Sequence, residues 1–577
     1  MKKIILAVAV LSLSLTAIAK PVTIETARRV ATNFWNANVS ANNPVFHEIS
    51  SQLELQNMYV FVTKGNDGFI IVAADDVSTP ILGYSTNNGI DLGNTMPSNM
   101  KGWLKHYSDE IRVAVNANMA ADASTAAEWQ KLTSSKGVKR ASGTKAVEPL
   151  IETQWDQTYP YNLLCPRYSG SLSATGCVAT AMAQVMKYWS WPLKGTGSKT
   201  YTTSRMSPAQ EVTANFDTTY LWAKMPAGGG NSANAWTASQ RNAVALLMKH
   251  CGVSVEMQYS PQASGALQYK ASDALKNYFY YGNIATYKQK SSSSETVWKN
   301  MLKTELDARR PVIYGGADAN QDQGHSFVCD GYDANDKFHF NWGWSGSGDG
   351  YFALDAMTPD YLGTGGGDLG DFSYYQDAVI KVVPAIQTQV FSLTSSSFPV
   401  NGTISGTCTF KNAGRKDFVG YLGIAAYDAN NELAAILARE GSTTLGANST
   451  KSLQISNIPV SPLTIGSYTA KAVCSIDGTN WVPIVIGYNN CVTEVPFVVT
   501  SSNGIDDINA TRCHVFVQGR NIIVNEAMNL PVSVVDMMGR VIYSTKGNGS
   551  NITIPLTKCG IYMVKIGNEP AQKIIVR

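Results

Sequence analysis

A cysteine that follows a glycine and opens an apolar helix is a candidate nucleophile, and Cys177 is placed in this way among the nine cysteines of the chain. It stands in Ala174-Thr175-Gly176-Cys177-Val178-Ala179-Thr180-Ala181-Met182-Ala183-Gln184, where a glycine turn leads into a helix-periodic run. At a helix N-terminus the macrodipole and the unpaired backbone N–H groups favour a thiolate, and the same donors can hold a developing oxyanion. A buried structural cysteine is the ordinary alternative. A thiolate also needs an imidazole, and His325 in Gln323-Gly324-His325-Ser326-Phe327-Val328-Cys329-Asp330-Gly331-Tyr332 opens an apolar strand directly after a glycine. As general base to Cys177 it would form a thiolate–imidazolium couple and then hand a proton to the leaving amine. A third segment, Phe338-His339-Phe340-Asn341-Trp342-Gly343-Trp344, runs from a strand into a glycine-rich turn. If it pairs with the strand of His325, Asn341 would fix the imidazole tautomer and Trp342 would cover the pair. His339 shares the strand face of Asn341 but lies further from the turn and is read as structural, and Trp344 as part of an aromatic core.

These residues need a scaffold, and the surrounding pattern supplies one of α+β class. Helical periodicity marks Val178 to Tyr188, Ala238 to Cys251 and Thr296 to Ala308. Strands are expected at Pro311 to Gly315, Ser326 to Tyr332 and Lys337 to Trp342. Upstream, Ile24 to Asn36 and Asn99 to Asn118 read as helices. Met58 to Val62 and Gly68 to Ala73 read as strands about a Gly65-Asn66-Asp67-Gly68 turn. Lys131 to Lys145 is a polar, exposed and cleavable linker, with Lys139, Arg140 and Lys145 as cleavage points. Beyond Pro384 come short β runs, among them Gln389 to Leu393, Gly406 to Asn412 and Ser467 to Cys474, which fit an immunoglobulin-like sandwich. After Asn503 a smaller β-domain ends in Gly560-Ile561-Tyr562-Met563-Val564-Lys565-Ile566.

Composition removes several classes. A chain of 577 residues exceeds one core, so several domains are expected. A formal net charge of +3 with no long basic run argues against nucleic acid as partner. Lys2 and Lys3 precede an apolar run from Ile4 to Ile18 that closes on Ala17-Ile18-Ala19, which reads as a cleaved export signal over residues 1–19. No later segment reaches the ~18 apolar residues of a membrane span. The irregular cysteine spacing matches no zinc site, so neither metal nor organic cofactor is expected.

Taken together the motifs resemble the streptopain family of bacterial cysteine proteases, which includes interpain-like enzymes. The resemblance rests on the segment Ala174 to Thr180, on Gly324-His325, and on Phe340-Asn341-Trp342-Gly343-Trp344. Trp155-Asp156-Gln157-Thr158-Tyr159-Pro160-Tyr161-Asn162 and the glycine-rich Leu362-Gly363-Thr364-Gly365-Gly366-Gly367 add to it. It implies a papain-like catalytic domain over 146–384 and Gln157 as side-chain donor of the oxyanion hole beside the Cys177 amide. It also implies substrate contacts at Gly324, Ser264 and Gly265. Asn57 to Phe61, Gly68 to Val72 and Pro80 to Ser85 resemble the family's inhibitory prodomain, which implies a zymogen with residues 20–145 as the chain's own inhibitor. Residues 503–577 resemble the sorting domains of type IX secretion substrates, through Val532 to Val541 and the Gly560-Ile561-Tyr562 strand. The secretion machinery is thereby an expected partner and the location secreted or cell-surface attached, with residues 385–500 as the sandwich between.

The expected function is thus that of an exported cysteine endopeptidase acting on proteins or peptides. The rivals are an amidase or transglutaminase-type acyl transferase using the same Cys–His pair, and a surface adhesin whose protease fold is inactive.

Overall fold

The computed structural model describes residues 20–576 apart from 41–43, 91–97, 135–145, 230, 291–293, 318–323, 358–374, 462, 502–513, 519, 526, 528–529, 538, 548–550 and 568–570. The expected export signal, the three cleavage points, Gln323 and the glycine-rich loop from Leu362 lie outside the described residues. The chain forms two compact units, one running to Val499 apart from Pro399–Gly402, the other made of Pro399–Gly402 and everything from Thr500.

In the first unit, helix α1 (Ile24–Asn38) starts where the Thr23 hydroxyl accepts from Thr26 N, and it buries Ala27, Val30, Ala31, Phe34 and Trp35 on one stripe. Four antiparallel strands follow: β1 (Phe46–Glu48), β2 (Met58–Thr63), β3 (Phe69–Ala73) and β4 (Ile81–Ser85). Helices α2 (Ser98–Asn116) and α3 (Ala123–Thr133) complete this segment, α3 capped by Asp122, whose carboxylate accepts from Ser124 N and Thr125 N. Next comes helix α4 (Cys177–Trp189), then α5 (Ala238–Ser254), α6 (Tyr269–Tyr278), β5 (Thr286–Gln289) and α7 (Glu295–Asp307). Strands β6 (Val312–Ala317), β7 (Gly324–Tyr332), β8 (Phe338–Asn341), β9 (Gly350–Phe352) and β10 (Tyr375–Ile380) follow.

One antiparallel ten-stranded sheet joins the two halves in the order β1-β2-β3-β4-β9-β8-β7-β6-β10-β5. The seam is β4 against β9, with Tyr84 opposite Tyr351 and Gly83 opposite Phe352. A side chain at Gly83 would meet the Phe352 ring at 2.6 Å, so glycine is what lets the strands close. Helix α2 lies on this sheet. Its Trp103, fully buried, has ring centroids 5.0 Å from Phe340, 5.7 Å from Phe327, 6.2 Å from Tyr314 and 6.3 Å from Trp342. The Trp103 indole N–H donates to Tyr107 Oη at 2.7 Å, and that hydroxyl donates to the Ala353 carbonyl. Glu110 Oε2 accepts from Ala356 N at 2.7 Å. The N-terminal segment therefore shares a core with the body that carries the candidate nucleophile. Trp103→Ala is expected to cost about 3–5 kcal/mol of stability. Thermal or denaturant unfolding of the full-length chain checks this, and a change under about 1 kcal/mol would show the ring to be peripheral.

The region after Pro384 is a β-sandwich. One sheet holds Ile386–Leu393, Thr403–Asn412 and Thr450–Pro459, and the other is centred on Phe418–Tyr427, Gly466–Ser475 and Glu494–Thr500. The second unit is also β: three strands (His514–Gln518, Asn521–Asn525, Ile552–Pro555) and four (Val541–Lys546, Pro531–Asp536, Gly560–Ile566, Gln572–Val576) enclose Ile522, Val524, Val532, Val534, Ile554 and Val564. Among the described residues no helix is long and apolar enough to cross a membrane.

Candidate active site

Gly176 is the N-cap of α4, with φ 88° and ψ 143°, close to a region that is essentially glycine's own. A side chain there would also press on the Met257 sulfur at 2.4 Å. The turn delivers Cys177 as the first helical residue, where backbone N–H groups are unpaired. Gly176→Ala is expected to cost about 1–3 kcal/mol through the positive φ. It should also lower kcat/KM about 100-fold by shifting the cysteine by about 1 Å. Thermal melts and peptide hydrolysis check both, and unchanged kinetics would show that the turn does not set the thiol.

Cys177 is half-buried, and its sulfur is enclosed by protein. Burial pushes the thiol above the ordinary cysteine value, against backbone N–H groups of Ser326, Val178 and Cys177 itself, which favour the thiolate. The helix-end effect expected from sequence is present but is outweighed by desolvation. The Ser326 amide belongs to the residue directly after His325, so the start of β7 reaches the sulfur. His325 is half-buried at that start, opposite Gly316 of β6, and Gly324 before it is exposed and opposite Ala317.

Strand β8 pairs with β7 as the sequence pattern required, with Asn341 opposite Val328 and Phe338 opposite Tyr332. The Asn341 carboxamide is held firmly: Oδ1 accepts from Gln184 Nε2 at 2.9 Å and Gly343 N at 3.1 Å, and Nδ2 donates to the Thr153 carbonyl at 2.7 Å. Trp342 is 1% exposed, its indole N–H donating to the Gly348 carbonyl at 2.9 Å and its ring 4.5 Å from that of Phe327. Trp342 thus sits inside the aromatic core that includes Trp103. His339 is structural, its Nδ1 2.6 Å from Asp330 Oδ1; burial opposes its charge, but the charge and hydrogen bond of Asp330 together with the charges of Asp349 and Glu148 raise the imidazole above its ordinary value.

Gln157 comes towards Cys177 through the backbone. Its carbonyl accepts from Thr175 N at 2.9 Å, two residues before Cys177. Asp156 orders the loop, with Oδ1 accepting from Gln157 N at 2.6 Å and Thr158 N at 2.9 Å, and Oδ2 accepting from the Ser345 hydroxyl at 2.7 Å. The Trp342 turn and the Gln157 loop are therefore tied together. Ser264 is engaged in the same neighbourhood: its hydroxyl donates to the Ala174 carbonyl at 2.7 Å and accepts from Ser260 N at 3.0 Å, which supports the irregular segment leading to Cys177. Gly265 forms a two-bond bridge with Gln258. Sequence reasoning missed Asp156, Thr153 and Gln184. The last had a signal, a lone carboxamide in an apolar helix two turns after Cys177.

His106, Glu110 and Asp355 place one ligand atom each within 4.8 Å of one another, a grouping that could hold a cation. The protein already satisfies it in other ways, since Lys290 Nζ is 2.5 Å from Asp355 Oδ2 and backbone N–H groups of Ala356 and Met357 reach Glu110 Oε2.

A model of the Peptidase C10 family matches residues 155–352, and one described as Spi protease inhibitor matches residues 19–111. The chain is 35% identical over 400 residues to the thiol protease/hemagglutinin PrtT of Porphyromonas gingivalis, covering 67% of this chain and 44% of that one. It is 34% identical over 356 residues to streptopain of Streptococcus pyogenes, covering 58% of this chain and 83% of streptopain. The chain thus spans less than half of the first relative and most of the second. Among solved structures, a prointerpain A fragment of Prevotella intermedia is 32% identical with a TM-score of 0.47, covering 58% of this chain and 98% of the fragment.

Proposed function

The chain belongs to the Peptidase C10 family of cysteine endopeptidases, and on that premise we propose that it is an exported zymogen in which Cys177 attacks the peptide carbonyl with His325 as general base. The observation that carries this reading is the packing of α4, which opens on Cys177, against β7, which opens on Gly324-His325. The thiolate adds to the carbonyl carbon, and the oxyanion takes the Cys177 N–H and the Gln157 carboxamide. The amine leaves with the imidazolium proton. Water, deprotonated by His325, then releases the acyl group from sulfur. Asn341 and Trp342 hold the turn after β8, the Asn341 carboxamide bonding Gln184, Gly343 and Thr153 in place of the imidazole bond expected from the sequence. Gly324 and Gly265 border the substrate, and Ser264 supports that wall.

Residues 20–145 act as the inhibitor of residues 146–384, and cleavage at Lys139, Arg140 or Lys145 releases it. In the precursor, burial pushes the Cys177 thiol above the ordinary cysteine value. Trp103→Ala, by loosening the shared core, should let the precursor cleave casein before it is processed. Residues 1–19 direct export, and residues 503–577 engage the secretion machinery that delivers the protein outside the cell or to its surface. Hydrolysis of casein blocked by a thiol-directed epoxide tests the reading. Acyl transfer to amines with no cleavage of casein would replace it with the transferase alternative.

A further inference from the structure

Helix α4 buries Val178, Ala179, Ala181, Met182, Ala183, Val185 and Met186, and between them it buries one carboxamide, Gln184, with no exposed surface. A carboxamide in such a place destabilises the fold unless its donors and acceptor are met, so its retention calls for a reason other than packing. Seven residues are close to two turns, which puts Gln184 on the face of α4 that carries Cys177. Its Oε1 accepts from the Thr153 hydroxyl at 2.9 Å and from Trp155 N at 3.3 Å. Its Nε2 donates to Asn341 Oδ1 at 2.9 Å, while Asn341 Nδ2 donates to the Thr153 carbonyl at 2.7 Å. Thr153 and Asn341 are themselves buried, at 4% and 3% exposure. The bonds close a ring, and its three corners lie on three separate segments: the nucleophile helix, the irregular segment that leads to Gln157, and the end of β8 just before the Trp342 turn.

We propose that Gln184 is a positioning residue of this active site, fixing the nucleophile helix in register with both the oxyanion donor and the Asn341–Trp342 turn. The inference rests on the reading of Cys177 as nucleophile. Gln184 touches neither substrate nor the reacting atoms. It acts through Asn341, Thr153 and the Trp155 amide, and misplacement of reacting groups by about 1 Å costs about 10²-fold in rate. The ring also explains why an apolar side chain would not serve at 184. It would leave the Trp155 N–H and the Thr153 hydroxyl without their acceptor and remove the bond that ties Asn341 Oδ1 to α4, leaving that oxygen only Gly343 N.

Two substitutions separate positioning from packing. Gln184→Met keeps the volume and removes both polar functions. Gln184→Glu keeps the shape and, when the introduced carboxyl is protonated, offers one O–H to Asn341 Oδ1 and one carbonyl oxygen to Thr153 and Trp155. Ionised, it has only acceptors and faces the Asn341 oxygen. Burial raises the pKa of such a carboxyl, so the donor persists at mildly acid pH and is lost as pH rises. The full-length proteins are matured by prolonged incubation and their active sites titrated with a thiol-directed epoxide. Peptide hydrolysis is then measured from pH 5 to 8 against wild type at each pH, below the melting temperature of each variant. Gln184→Met should lower kcat about 100-fold at every pH with KM within about threefold. Gln184→Glu should lie within about tenfold of wild type at pH 5 and fall to about one-hundredth at pH 8. Turnover within threefold of wild type for both variants at all pH values would overturn the proposal, as would a Gln184→Glu ratio that does not change with pH. Failure of the underlying reading shows separately, because Cys177→Ala would then hydrolyse peptide like wild type, and the positioning role would fall with it.

Discussion

Full-length protein carrying Cys177→Ala is expected to hydrolyse casein about 10⁵- to 10⁶-fold more slowly than incubated wild type, since the nucleophile of a coupled catalytic set contributes on that scale. What remains is binding and the oxyanion donors, which act on attack by free water and give only a small residual rate. The fold should be unaffected. Alanine is a good helix former, and the caps and buried ring of α4 do not use the sulfur. A dye-labelled casein assay with a melting curve on the same sample checks both. Activity within tenfold of wild type would remove Cys177 from the mechanism.

His325→Ala should cost about 10⁴-fold or more in kcat/KM, and it should also change the chemistry of the thiol. An imidazolium beside a cysteine stabilises the thiolate well below its ordinary pKa. In the precursor, burial pushes the Cys177 thiol the other way, so alkylation by iodoacetamide near pH 6 should be slow before processing. After processing of wild type it should become about 100-fold faster, with the rate surviving as pH falls until the thiolate is protonated. His325→Ala protein, processed by added wild type that is then removed, should keep the slow rate at pH 6 and gain reactivity only as pH rises towards the ordinary cysteine range. Equal alkylation profiles for the two proteins would separate His325 from the nucleophile.

Much of this site was legible in the sequence because its parts leave local marks. Gly176-Cys177 ahead of an apolar helix, His325 opening an apolar strand and Asn341 ending the next strand each combine a breaker with a periodic run. The helix at Cys177–Trp189 and the strands at Gly324–Tyr332 and Phe338–Asn341 follow that pattern. Gln157 had no such mark. It lies in an irregular loop, and its nearness to Cys177 comes from one backbone bond to Thr175 and from Asp156 reaching Ser345, contacts between residues far apart in sequence. Only family resemblance could name it.

The electrostatics of the thiol were legible in part. A helix N-terminus is visible in sequence, whereas the burial that outweighs it depends on which segments close over the sulfur. The joint between β4 and β9 was hidden for a related reason. Pro80 to Ser85 is marked in the sequence only by its resemblance to an inhibitory prodomain, and nothing in it names Tyr351 and Phe352, which stand elsewhere in the chain, as its partners. The same holds for Trp103, whose spacing marks a buried helix face without saying that the face belongs to the aromatic core around Trp342.

The account rests on one claim, that this chain matures by its own Cys177. Intact mass of purified full-length wild type and Cys177→Ala, followed over the same incubation, tests it most directly. Wild type should lose its N-terminal segment by cleavage at Lys139, Arg140 or Lys145 while Cys177→Ala keeps its full mass, and wild type added in trace amount should then cut Cys177→Ala at the same place. Equal processing of both proteins alone, or a wild type that stays full length and leaves casein uncut, would contradict the account.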